Sequence, residues 1–212
     1  MTAPMTVPPA TRRPLCAACL RPQRTCICHW VAPVDSAVAL LILQHPLEVA
    51  QAKGSARLLH LCVAGSSLLA GESFNPSTLE AMLHADGRRP VLLYPALAGA
   101  DALGLAPPPV LAPSALDHPE RLRLVVLDAS WRKSRKMLYL NPILQQLPRL
   151  ALRDMPASHY RIRKAHAPDQ LSSLEAATYA LMRLEPGNPQ LASLLDAFDG
   201  FVGQQEQLAR GA

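Results

Sequence analysis

The chain has 212 residues, half of them hydrophobic, with 17% charged residues and a formal net charge of +5. That is apolar material for one sizeable domain and a small appendage, and a mild positive excess that suits a polyanionic partner without requiring one. The main apolar run, residues 37–43, is strand length and far short of the roughly 18–20 residues of a membrane helix, so no membrane partner is expected.

Along the chain, residues 1–14 ("MTAPMTVPPATRRP") carry prolines where a signal peptide needs an apolar segment, and read as a disordered tail on a cytoplasmic protein. Residues 15–30 form a cysteine knuckle, and residues 31–212 alternate strand and helix. Strands are expected at 37–44, 67–70, 90–94 and 122–127. Helices are expected at 47–62, at 77–85 with Ser77 as its cap, and at 131–140 up to Asn141-Pro142. Residues 106–119 hold five of the 21 prolines and read as an exposed loop. After a short segment at 149–152 come helices at 173–184 and 189–208. Apolar strands alternating with helices predict an α/β fold, a mostly parallel sheet covered by helices on both faces. Ligands bind at the carboxyl ends of such strands, where this chain places Gln44-His45-Pro46, Gly71-Glu72, Pro95-Ala96 and Asp128-Ala129-Ser130-Trp131.

Four of the five cysteines, Cys16, Cys19, Cys26 and Cys28, fall in 13 residues with the spacing C-x2-C-x6-C-x-C. Four thiolates complete a tetrahedral set for zinc, and a set with no open position is structural. Two disulfides or an iron–sulfur cluster are the alternatives. Arg21 and Arg24 are expected to keep the knuckle outside the core. Cys62, in an apolar helix, reads as a buried inert thiol.

The stretch "VVLDASWRKSRKMLYLNP" carries the densest chemistry. Asp128 ends an apolar strand, and Trp131 and four cations (Arg132, Lys133, Arg135, Lys136) open a helix. A helix start is the positive end of the dipole, so each cation there is misplaced by roughly 0.3–1 kcal/mol unless an anion sits nearby. A solvated basic face is the plain alternative. Asp128 fits a helix cap, a general base or a holder of a substrate amino group; Trp131 fits core packing or a flat surface for a base. A second basic helix start follows, with Arg161, Arg163 and Lys164 ahead of Ser172 and Glu175 at capping-box spacing.

Taken together, the knuckle, "LILQHPLE", "LLYPA", "VLDASWRKSRKMLYLNP" and "YRIRK…QLSSLEA" resemble the DTW-domain proteins, the tRNA-uridine aminocarboxypropyltransferases. The resemblance runs from Cys16 to about Leu184. The family's Asp–Thr–Trp element corresponds to Asp128, Ser130 and Trp131; Ala96 stands where many members have glycine, and Gly54-Ser55 where many have Asn-Thr or Asn-Ser. The resemblance implies that residues 31–212 are a SPOUT-like catalytic domain with a knotted cofactor cleft. It implies transfer of the 3-amino-3-carboxypropyl group of S-adenosylmethionine to N3 of a tRNA uridine, giving acp3U and 5′-methylthioadenosine. Within it, Asp128 is the expected catalytic base, with partial burial raising its proton affinity. Leu93, Tyr94, Pro95, Ser130, Trp131, Leu171, Ser172 and Ser173 are expected to bind the cofactor. The cations at both helix starts are expected to contact tRNA, and His45 and Glu48 match a His-Pro-x-Glu element that lines the site or merely opens a helix. A SPOUT-type RNA methyltransferase and a non-catalytic zinc-dependent RNA-binding protein are the rival readings.

Overall fold

The strand Leu122–Asp128 (β4) is buried at every residue because it lies in the middle of the sheet. It pairs in parallel with Ala39–Gln44 (β1) on one side and Arg89–Leu93 (β3) on the other. Ser67–Ala70 (β2) and Arg149–Leu150 (β5) complete the order β2-β1-β4-β3-β5, every pairing parallel. The computed structural model describes residues 14–95, 108–162 and 170–211.

Alternate residues of the strands feed two separate cores, as the two-residue period of a strand requires. Leu40, Ile42, Val91, Leu124 and Val126 pack against Ala56–Cys62 (α2), Ser173–Leu184 (α6) and Ser193–Arg210 (α7). Leu41, Leu43, Leu92, Val125 and Leu127 pack against Pro76–Leu83 (α3), Trp131–Leu140 (α4) and Pro142–Gln145 (α5). Both faces are therefore covered, as the apolar strands predict. No helix among the described residues is long and apolar enough to cross a membrane. Segments 96–107 and 163–169 lie outside the described residues.

Two local expectations are corrected. The helix expected over 47–62 is two: Pro46–Val49 (α1) and α2, separated by residues 50–55. The carbonyls of Ala52 and Gly54 accept from the Arg21 guanidinium and that of Lys53 from the Tyr160 hydroxyl, so this turn bonds to distant side chains instead of continuing a helix. α3 is capped by Asn75, whose Oδ1 accepts from the Thr78 amide at 3.1 Å and the Ser77 hydroxyl at 2.7 Å, with Pro76 in the first helical position. The described part of the proline-rich loop contains short 3-10 turns at Pro113–Asp117 and Pro119–Arg121.

The knuckle, too, differs from expectation. Cys19 and Ile27 are buried in the core beneath α2, α6 and α7. The Trp30 indole donates to Gln204 on α7 at 2.8 Å, and Gln204 donates back to the Cys26 carbonyl at 3.0 Å. The Trp30 ring lies so close to Gly200 that a Cβ there would sit 2.2 Å from it. Arg24 faces solvent as expected, but Arg21 folds back, its guanidinium 5.1 Å from the Phe201 ring centroid. An arginine reads as a surface residue in sequence because the carbonyls that satisfy it are more than thirty residues away.

Candidate active site and metal centre

Gln44 and Asp128, the last residues of β1 and β4, are register partners, and the His45 amide donates to the Asp128 carbonyl at 3.0 Å. Asp128 is 6% exposed. Gln44 Nε2 donates to its Oδ2 at 2.9 Å, and the Ser173 hydroxyl to its Oδ1 at 2.5 Å. Three chain segments thus fix one buried carboxylate, and the hydroxyl contact has the short length of a charge-assisted bond.

Two cavities meet beside it. The larger, about 600 Å³, opens at the carboxyl ends of β3, β4 and β5 and at the starts of α4 and α6. All the expected cofactor residues except Ser130 line it: Leu93, Tyr94, Pro95, Trp131, Leu171, Ser172 and Ser173. Its size and mostly apolar walls suit a small organic ligand. The smaller, about 190 Å³, is lined by Asp128, Ser130, Glu48, Lys53, Ser55 and Tyr160, among others. Ala129, Ser172 and Ser173 line both. Trp131, half-exposed, stands edge-on to Tyr94 with ring centroids 5.9 Å apart. Tyr94 is held by its hydroxyl at 3.3 Å from the Ser134 hydroxyl and by the Arg149 guanidinium 5.4 Å from its ring centroid. Arg149 escaped sequence reasoning because nothing near it in the chain announces a ring to stack on.

The four cations of α4 divide into two kinds. Lys133 pairs with Glu48 at 2.8 Å and Lys136 with Glu72 at 2.9 Å. Arg132 and Arg135 are exposed and make no ion pair among the described residues. Trp131, Arg135 and Tyr139 lie four residues apart and so share one face of α4. Lys136, then His45, holds the Glu72 carboxyl below its usual range. His45 Nδ1 accepts from the Leu47 amide as the cap of α1, which leaves Nε2 to donate to Glu72 at 3.0 Å. His45 is therefore a structural link, whereas Glu48 lines the smaller cavity. Arg161 pairs with Glu206 at 3.1 Å. Arg163 and Lys164, like Ala96, lie outside the described residues.

The Ser172–Glu175 capping box is complete: the Ser172 hydroxyl accepts from the Glu175 amide at 3.1 Å, and Glu175 accepts from the Ser172 amide at 2.7 Å. Glu175 has a second task that its spacing did not signal. Its carboxylate also accepts from the Ser158 hydroxyl at 2.9 Å and the His159 amide at 2.7 Å, fixing the segment that brings Tyr160 to the smaller cavity. The Ser55 hydroxyl accepts from the Leu174 amide at 3.3 Å, satisfying another free donor of the α6 start.

The four clustered cysteine sulfurs lie within 4.8 Å of one another, with Cys16–Cys28 at 3.6 Å and Cys19–Cys26 at 3.8 Å. A tetrahedron of metal–sulfur bonds near 2.3 Å has edges of about 3.8 Å, whereas a disulfide needs about 2.05 Å. The set fits a metal ion, and with four thiolates present it leaves no open position. Hydrogen bonds from the amides of Cys19, then Ala18, lower the Cys16 thiol to about 6, while burial pushes the Cys28 thiol up to about 12. Cys62 is not part of this group; it is buried, and burial raises its thiol.

A buried carboxylate lining one of two adjoining cavities at the carboxyl edge of a parallel sheet, together with a four-cysteine set that fits a metal ion, marks an α/β protein with a candidate ligand site at the strand ends. The DTW domain model matches residues 13–206, and the chain belongs to the DTW-domain family. Among curated relatives, a tRNA-uridine aminocarboxypropyltransferase 2 from Macaca fascicularis is 29% identical over 95% of this chain and 66% of its own length. Proteins of the same name from Mus musculus and Drosophila melanogaster are 30% and 29% identical, over 93% and 88% of this chain and 65% and 72% of their own. The chain thus spans about two thirds of the length of the curated relatives it matches. No solved structure matches it.

Proposed function

We propose that this protein transfers the 3-amino-3-carboxypropyl group of S-adenosylmethionine to N3 of a tRNA uridine. The observation that carries the reading is the placement of Asp128 in a cavity that shares the wall Ala129–Ser172–Ser173 with the larger cleft. S-adenosylmethionine supplies a sulfonium that activates the attached carbons. The larger cleft holds this donor, with Tyr94, Trp131 and Leu171 around its apolar parts. The smaller cavity takes the uracil ring. Asp128 accepts the N3 proton as the N3–Cγ bond forms and the Cγ–sulfur bond breaks, and methylthioadenosine leaves with the electron pair on sulfur. Gln44 and Ser173 hold the carboxylate in place for this step. Selection of Cγ over the methyl group is a matter of position, because both carbons are activated by the same sulfur.

The cysteine centre holds structural zinc in this reading. Arg132 and Arg135 grip tRNA phosphates, Trp131 and Tyr139 offer faces for bases next to the target, and Lys133, Lys136 and Arg161, already paired, contribute less. Arg163 and Lys164, outside the described residues, follow Arg161 in sequence and are further tRNA contacts in this reading. A transfer assay with S-adenosylmethionine labelled either in the methyl or in the aminocarboxypropyl carbons tests the chemistry. Label in tRNA from the second alone, with methylthioadenosine released, is the expected result. Label from the methyl alone makes the protein an RNA methyltransferase and overturns the reading.

A further inference from the structure

Arg21 lies inside the cysteine loop, between Cys19 and Cys26, and its carbonyl accepts from the Cys16 amide at 2.8 Å. Its guanidinium leaves the loop, passes the Phe201 ring at 5.1 Å and donates to the carbonyls of Ala52 at 2.5 Å and Gly54 at 2.8 Å. Those carbonyls belong to the turn that carries Gln51, Lys53, Gly54 and Ser55, one wall of the cavity around Asp128. The turn has few bonds of its own: the Gln51 amide donates to the Glu48 carbonyl at 3.1 Å and the Gly54 amide to the Gln51 carbonyl at 2.9 Å. Beyond the Gln51 side chain, which donates to the Leu47 carbonyl at 3.2 Å, it is supported from across the fold: Tyr160 donates to the Lys53 carbonyl, Lys53 Nζ to the Ile162 carbonyl at 2.6 Å, and the Leu174 amide to the Ser55 hydroxyl at 3.3 Å. On the opposite side, Arg57 donates to the Ala18 carbonyl at 3.0 Å and ties the loop to α2.

We propose that Arg21 is a positioning residue through which the metal-loaded cysteine loop holds the 51–55 wall of the Asp128 cavity. The planar guanidinium reaches two carbonyls at once only if its own backbone is fixed, and the cysteine loop is fixed when one ion closes its four sulfurs. Without that closure Arg21 sits on an open loop, and ordering it against the turn must overcome the loop's conformational entropy. Metal in the knuckle thereby governs how firmly a cavity in another part of the molecule is formed, without any ligand touching the metal. That this cavity receives the uracil rests on the proposed function; the coupling between knuckle and turn does not.

Hydrogen exchange read at the Gln51 and Gly54 amides tests the coupling on the full chain, metal-loaded or treated with a chelator. In the wild type, chelation should speed exchange at both amides about tenfold or more, the loss expected when hydrogen bonds from a charged donor go. Metal-loaded Arg21→Ala should already exchange at the chelated wild-type rate, and chelation should add nothing further at these two amides. Arg21→Lys, which keeps the charge but cannot fork to both carbonyls, should fall between. Metal released to a chromophoric indicator establishes that each variant is loaded. Should Arg21→Ala lose the metal, metal-loaded Arg21→Lys decides alone. Protection at Gln51 and Gly54 that is unchanged in a metal-loaded variant overturns the proposal, as does an equal response to chelation in wild type and Arg21→Ala. S-adenosylmethionine affinity should be unaltered in Arg21→Ala while the KM for tRNA rises. If no transfer chemistry exists, the exchange result still stands or falls by itself.

Discussion

Asp128 shows how much a single side chain depends on partners distant in the chain. It closes a strand, which sequence reveals, but its two oxygens are set by Gln44, 84 residues away, and Ser173, 45 residues away. Replacing Asp128 with Asn keeps the shape and removes the proton acceptor. Turnover in the labelled-transfer assay should fall by roughly 10²–10⁴, the usual worth of a general base, while tRNA affinity stays within about twofold. An equal loss in binding and turnover would instead make Asp128 a holder of substrate. In the proposed step the imide proton and the carboxylate meet only if the carboxylate is already aimed, which is why a donor on each oxygen matters more there than burial alone.

The helix α4 is an element whose charges do unequal things. Lys133 and Lys136 are held by Glu48 and Glu72, and Arg132 and Arg135 point outward beside Trp131 and Tyr139. In tRNA binding measured against salt, Arg135→Gln should lower the slope of log K against log [salt] by about one, and Lys136→Gln by clearly less. Tyr139→Ala should cost about 1–3 kcal/mol of binding at unchanged slope if its exposed ring stacks on a base. The Glu72 link brings a pH dependence of known sign. Its folded carboxyl is held below the ordinary value of about 4.3, so the contribution is complete above that value and is lost as pH falls through the lowered one. The melting temperatures of wild type and Glu72→Gln should therefore converge as acidity increases below about pH 4. The difference at neutral pH should be small, because water screens the pair. The cap of α3 teaches a related lesson: Asn75, Ser77 and Thr78 are all capping residue types, and only the geometry at Pro76 selects the first of them.

At the scale of the whole molecule, the knuckle is a structural part of the α/β body. Its cysteine residues, Ile27 and Trp30 pack into the core shared with α7, and Gly200 leaves room for the Trp30 ring. Gly200→Ala should force the ring or α7 to shift and cost about 1–3 kcal/mol of unfolding free energy, read from denaturant melts of the metal-loaded protein. An unchanged midpoint would mean that the ring has room to move. By itself the sequence determined the alternation of strand and helix, the parallel sheet, the four-sulfur set and the junction at Asp128. Each of these is carried by neighbours in the chain: apolar runs, close cysteine spacing, the abrupt switch from a strand to a polar helix start. It missed the break at residues 50–55, the inward turn of Arg21, the second role of Glu175 and the pairing of Lys133 and Lys136. Those depend on partners brought near only by folding, and a hydrogen bond or ion pair is decided by distances of a few ångströms that sequence separation does not record. Tertiary structure therefore decided which cations of α4 are paired, which carboxylate lines the smaller cavity, and how the four-cysteine loop, through Arg21, reaches the wall of that cavity.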